Sequence, residues 1–135
     1  MNDDPVFLTV SDVLALHSDQ IREFGGSDGL RDQGALESAV AQASATYEGR
    51  HLHAELFEKA AAYAFHIAEN HPFVDGNKRT ALNAAIVFLG LNGFDVVDKD
   101  GRLYDAMMSV AIGKLSKGQM AALLEQVSES WRDDD

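Results

Sequence analysis

The chain has 135 residues, with 22 acidic against 11 basic side chains, a net charge of −11 and no cysteine. That length supports one domain around one core, the charge leaves too few clustered Lys and Arg for a nucleic-acid surface, and the lack of cysteine removes disulfides, thiolate catalysis and Cys-held zinc. No apolar run approaches the roughly 18 residues of a membrane span, and the acidic start Met1-Asn2-Asp3-Asp4 lacks the basic region of a signal peptide.

In chain order, the residues predict a single, nearly all-helical domain over 1–135, with residues 1–7 and 132–135 as frayed tails. Thr9 caps a first helix whose stripe Val10, Val13, Leu14, His17, Ile21 and Phe24 has helical period, and Gly25-Gly26 closes it. His17 on that stripe is expected to be a packed or hydrogen-bonded histidine. A shorter helix runs from Arg31 to Ala43. After an irregular stretch, an Ala-rich helix spans His53 to Asn70 and carries His66, again expected to be structural.

Next comes His71-Pro72-Phe73-Val74-Asp75-Gly76-Asn77-Lys78-Arg79-Thr80. Pro72 disfavours helical backbone at His71, so the arriving helix stops and leaves the imidazole at the lip of a turn. Asp75-Gly76-Asn77 supplies turn and capping residues for a helix over Lys78 to Leu91, whose Ala84-Ala85-Ile86-Val87-Phe88-Leu89 is apolar on every side and therefore central. Helix N-termini attract anions, and placing Lys78 and Arg79 where they oppose the helix dipole makes sense if a multiply charged phosphate binds there. Asp75 beside that cradle suits Mg²⁺ shared with phosphate oxygens, and His71 is a candidate base. Asn83 lies one turn beyond Arg79 on the same face. Val96-Val97 is at most a short extended stretch. Helices over Leu103 to Ile112 and Ser116 to Trp131 complete the set, the last opened by the capping box Ser116-x-x-Gln119.

The stretch from His71 to Ala81 resembles the signature of the Fic/Doc superfamily, and most of all its Doc branch, with Lys78 and Leu82 where the general Fic pattern has Gly and Arg. The resemblance extends to Gly25-Gly26-Ser27-Asp28-Gly29-Leu30-Arg31-Asp32, to Leu36-Glu37-Ser38-Ala39 and to Leu56-Phe57-Glu58-Lys59-Ala60-Ala61. It implies a compact helical bundle around a buried motif helix, with a flap hairpin in the region of Tyr47, Glu48, Gly49 and Arg50 that positions the protein substrate. It also implies ATP and Mg²⁺ as cofactors, held by Asp75 and by Gly76, Asn77, Lys78 and Arg79, with His71 as general base; Asn83, from its helix position alone, is a candidate to orient Arg79 or touch nucleotide and equally a plain helix-surface residue. The implied activity is transfer of the γ-phosphoryl group to a serine or threonine hydroxyl, with elongation factor Tu as target and a cognate antitoxin as partner. Such a toxin belongs in the cytoplasm and is bacterial or prophage-encoded, with no direct nucleic-acid or membrane partner.

Two other readings stand beside it. AMP transfer of the Fic type uses the same histidine with the nucleotide reversed; a non-catalytic corepressor that only binds the antitoxin has no need of His71. Hydrolysis by a His/Asp metal centre lacks a second histidine at helical spacing. Ser44-x-x-x-Glu48-Gly49 matches a Fic self-inhibition motif, but the arginine it engages is replaced by Leu82.

Overall fold

A computed structural model describes residues 5–45 and 52–131. Six helices and one two-stranded ribbon follow in the order α1 (Val10–Phe24), α2 (Gln33–Ser44), α3 (Leu52–Asn70), α4 (Asn77–Leu91), β1 (Phe94–Val96), α5 (Arg102–Ala111), α6 (Lys117–Gln126) and β2 (Ser128–Ser130). The chain is thus all-α as expected, and none of the described helices is long and apolar enough to cross a membrane. The flap residues Tyr47, Glu48, Gly49 and Arg50 lie outside the described residues.

Helix α3 and the motif helix α4 pack against each other at the centre, with α2 and α6 against α3 and with α1 and α5 against α4. Small residues make this approach close: Ala60, Ala61 and Ala64 on α3 and Ala81, Ala84 and Ala85 on α4 are fully enclosed. Phe57, Tyr63, Ile67, Phe88 and Leu89 fill the remaining core volume. Caps match the sequence reading at both ends of the chain, since Thr9 with Asp12 and Ser116 with Gln119 form reciprocal capping boxes. His66, buried on α3, accepts a hydrogen bond at Nε2 from Lys117 Nζ at 3.1 Å. Burial, helped by the Lys117 charge and opposed by Glu69, holds its pKa below the ordinary histidine value.

Two expectations need correction. The final helix does not reach Trp131 but ends at Gln126, where Ser128 Oγ donates to the Leu124 carbonyl at 2.7 Å and takes over a helical acceptor. Ser128–Ser130 then pair antiparallel with Phe94–Val96, giving the extended stretch near Val96 a partner. Val6 and Phe7, within the segment 1–7 expected to fray, are held instead. Val6 exchanges hydrogen bonds with the Asn92 side chain at 2.8 and 2.9 Å, and Phe7 stacks on Phe88.

Leu8 is fixed by one phenol, because Tyr63 Oη accepts from its N–H at 2.9 Å and donates to its C=O at 3.1 Å. Burial pushes the Tyr63 pKa up to about 12, so the hydroxyl remains a donor throughout the physiological range. Tyr63→Phe is expected to cost about 1–3 kcal/mol, since both Leu8 backbone groups lose a buried partner. Urea unfolding measures this, and a loss below about 0.5 kcal/mol would show that the N-terminal segment is not held by this contact.

Candidate active site

The motif loop begins where α3 is stopped. His71 N–H still closes the last turn on Ile67 O at 3.2 Å, but Pro72 forbids another, and His71 turns to φ 51°, the one described non-glycine residue at positive φ. Such a conformation persists only where neighbours impose it. Arg31 does so from the α1–α2 loop, donating through Nε to His71 O at 2.6 Å and through Nη2 to Asn70 O at 3.0 Å. Backbone pairing reinforces this grip: Pro72 O accepts from Arg31 and Asp32 N–H, Val74 N–H donates to Gly29 O, and Leu30 and Phe73 form an antiparallel bridge.

Phe73 anchors the loop from below. It is fully buried and stacks on His17 with ring centroids 3.8 Å apart and planes within 4°. His17 Nε2 in turn lies 2.8 Å from Asp75 O, which can only accept, so the imidazole is the donor. The expectation of a hydrogen-bonded His17 holds, and its partner is the motif itself.

Asn77 closes the loop on itself. Its Oδ1 accepts from Phe73 N–H at 3.0 Å, while Nδ2 donates to Phe73 O at 2.9 Å and to His71 Nδ1 at 2.8 Å. The Phe73 N–H fixes the amide orientation, so His71 Nδ1 is an acceptor and the neutral ring carries its proton on Nε2. Proton uptake at Nε2 therefore requires the proton to sit on Nδ1 and the Asn77 amide to release it. With its carboxamide committed to the loop, Asn77 has only its backbone N–H left to offer phosphate.

Gly76 precedes α4 at φ 80°, where a side chain is strained, and an added Cβ would stand 3.3 Å from Ile21 Cδ1. Rather than the expected side-chain cap, Gly76 leaves the α4 N-terminus without one. The uncapped N–H groups open onto a cleft of 380 Å³ whose wall includes Asp75, Gly76, Asn77, Lys78 and Arg79. Asp75 Oδ2 accepts from Ser27 N–H at 2.9 Å, which aims an exposed carboxylate along that wall. A single carboxylate beside a phosphate cradle is a donor set that fits Mg²⁺, which takes its remaining ligands from phosphate and water; among the described residues no three His, Asp or Glu side chains gather as a self-sufficient metal cage.

Of the residues expected at the site, five therefore line one cleft. His71 is exposed and is not part of that wall, which it meets through the bond from Asn77 Nδ2 to its Nδ1. Asn83 lines an adjoining cleft of 350 Å³ that extends along α4 past Leu82 to Ile86 and shares Phe24, Arg79 and Tyr104 with the first. Sequence reasoning missed Ser27, Arg31, Phe24 and Tyr104 as parts of the site. The glycines around Ser27 signalled a loop able to approach another backbone, but nothing in the spacing told which one.

A model of the Fic/DOC family matches residues 7–89, from the anchored N-terminal segment through the motif to most of α4. The chain belongs to that family. Among its relatives, "Protein kinase doc" of Escherichia phage P1 is 34% identical over 120 residues, 89% of this chain and 94% of that protein. "Toxin Doc" of Mycolicibacterium smegmatis (strain ATCC 700084 / mc(2)155) is 43% identical over 104 residues, 75% of this chain and 79% of that one.

Asn77→Ala is expected to lower stability by roughly 2–4 kcal/mol, because it strands the buried N–H and C=O of Phe73. Thermal and urea unfolding measure the loss, and a change within about 0.5 kcal/mol would show that the loop keeps its shape without the amide.

Proposed function

We propose that this chain is the toxin of a Doc-type toxin–antitoxin pair and transfers the γ-phosphoryl group of ATP to a threonine or serine hydroxyl of a protein, with elongation factor Tu as the target. The names of both relatives support the class, and Lys78 and Leu82 are the residues that set the Doc pattern apart from the AMP-transferring one.

The observation that carries phosphoryl over nucleotidyl transfer is the asymmetry of the two clefts. The clefts share Phe24, Arg79 and Tyr104; beyond these the wall beside the motif loop is Gly25, Gly26, Asp75, Gly76, Asn77 and Lys78, and further along α4 it is Leu82 and Ile86 with Gln20, Asn83 and the carboxylate of Glu23. Leu82 and Ile86 beside Glu23 suit a nucleoside and oppose phosphate, whereas in the first cleft the Asp75 charge is offset by Lys78 and the uncapped α4 amides. A nucleotide laid with its base in the second cleft presents its γ-phosphorus in the first, whose wall includes Asn77, the residue bonded to His71 Nδ1. The reversed pose required for AMP transfer would press β- and γ-phosphates towards Glu23 and Leu82.

In the proposed reaction the target hydroxyl oxygen bonds to the γ-phosphorus, the bond from that phosphorus to the β-bridging oxygen breaks, and ADP leaves. The hydroxyl proton passes to His71 Nε2 once the ring has given its Nε2 proton to solvent and taken one from solvent at Nδ1, with the Asn77 amide released from that nitrogen. Lys78, Arg79 and the α4 N-terminal amides hold the charge in place, so catalysis is chiefly positioning and electrostatics. Asp75 would hold Mg²⁺, which supplies further charge neutralisation when bound. An antitoxin is the partner this reading requires, and the cytoplasm, where the elongation factor resides, is its site of action.

Incubation with elongation factor Tu and ATP labelled at either the α- or the γ-phosphate tests this. Label from the γ-position is expected on the factor and none from the α-position; α-label on protein would instead establish nucleotidyl transfer. His71→Ala should lower transfer by about 10²- to 10⁴-fold while the protein stays folded with a modest loss of stability, because the side chain is exposed but Asn77 Nδ2 loses the acceptor at Nδ1 and keeps only Phe73 O. Near-native turnover by that variant would remove His71 from the reaction.

A further inference from the structure

Arg79 is held in an unusual way for a cation in so acidic a chain. Its guanidinium carbon lies 4.1 Å from the ring centroid of Phe24 and 4.9 Å from that of Tyr104. Arg22 pairs with Asp19 and Lys59 with Glu55, but among the described residues Arg79 has no carboxylate within ion-pair distance. The two rings come from different elements, the last residue of α1 and the first turn of α5, and both lie against the Arg79 guanidinium of α4. Both are large side chains left about half exposed, Phe24 at 51% and Tyr104 at 40%. They also stand where the two clefts join.

A carboxylate partner would fix an arginine, but it would neutralise the charge and compete with phosphate for the same N–H donors. An aromatic face attracts the guanidinium through its quadrupole and leaves the donors at the edge of the guanidinium plane unspent. We propose that Phe24 and Tyr104 are positioning residues that hold the Arg79 guanidinium at the junction of the clefts by cation–π contact, so that its charge and donors stay available to the polyphosphate. This rests on the reading of Arg79 as a phosphate ligand. It assigns the end of α1 and the start of α5, both far from the motif in sequence, a share in nucleotide affinity.

Calorimetric titration of the full chain with Mg²⁺–ATP and, separately, with inorganic tripolyphosphate tests it. Phe24→Leu and Tyr104→Leu should each weaken both ligands by a similar factor, about 3- to 10-fold for loss of one partly desolvated cation–π contact. Tyr104→Phe, which keeps the ring, should restore affinity. In an Arg79→Ala background the leucine substitutions should have no further effect, because the group they position is gone. Weakened ATP with unchanged tripolyphosphate would overturn the proposal, since the rings would then serve the nucleoside. Full additivity with Arg79→Ala would overturn it as well. Should Arg79→Ala leave both affinities intact, the phosphate role of Arg79 fails and takes the positioning role with it, whereas loss in Arg79→Ala alone rejects only the positioning.

Discussion

The Asn77 carboxamide has three hydrogen bonds available in its setting, and the loop from His71 to Asn77 depends on all three. Two tie both backbone groups of Phe73, and the third takes the Nδ1 lone pair of His71. The amide is 5% exposed, so losing any partner leaves a buried polar group without compensation. Phe73 is thereby held in the core beneath the loop, and its ring is the surface on which His17 stacks. His17 reaches Asp75 O, and Ser27 N–H reaches the Asp75 carboxylate, so the orientation of the candidate metal ligand is set by α1 and the loop that follows it. One side chain inside the motif and two segments far from it in sequence converge on the same seven residues.

This convergence explains how much could be read before the structure. Elements written in local signals were legible: Thr9 and Ser116 as caps, the stripe of α1, and the stop at Pro72 each depend on neighbours within a few residues. The five residues at the turn and first helical positions of the motif were legible as a group, because a loop running into a helix places them together whatever surrounds it. The paired ends of the ribbon were not, since Ser128–Ser130 become a strand only because Phe94–Val96 offers an edge some thirty positions earlier. Phe24 read as the end of a core stripe and Tyr104 as a helix residue; their meeting at Arg79 is a consequence of how α1 and α5 dock on α4. The role expected of the Asn77 side chain was displaced for a similar reason, because burial leaves a carboxamide no freedom to choose a ligand over Phe73.

Electrostatics divides the site along the axis of α4. At the loop end, an uncapped helix terminus and two cations concentrate positive potential in a chain of net charge −11. One to two turns further on, Leu82 and Ile86 add apolar surface, and Glu23 stands among the lining residues with Gln20 and Asn83. The gradient gives an elongated ligand with one anionic and one apolar end a preferred direction. His71 is exposed and is tied to the loop end through Asn77. The neutral ring presents an N–H to solvent for as long as Asn77 Nδ2 donates to its Nδ1.

If the loop is built by these protein contacts and not by its ligands, it must hold its shape in the free protein. Amide hydrogen exchange of the nucleotide-free chain measures this at Phe73, Val74, Arg31 and Asp32, whose N–H groups bond to Asn77 Oδ1, Gly29 O and Pro72 O. Preorganisation predicts that these four exchange as slowly as the amides of α3 and α4, by global unfolding, and that nucleotide changes their rates little. Exchange at the rates of an exposed loop, slowing only when nucleotide is added, would contradict it and make the ligand the builder of the site.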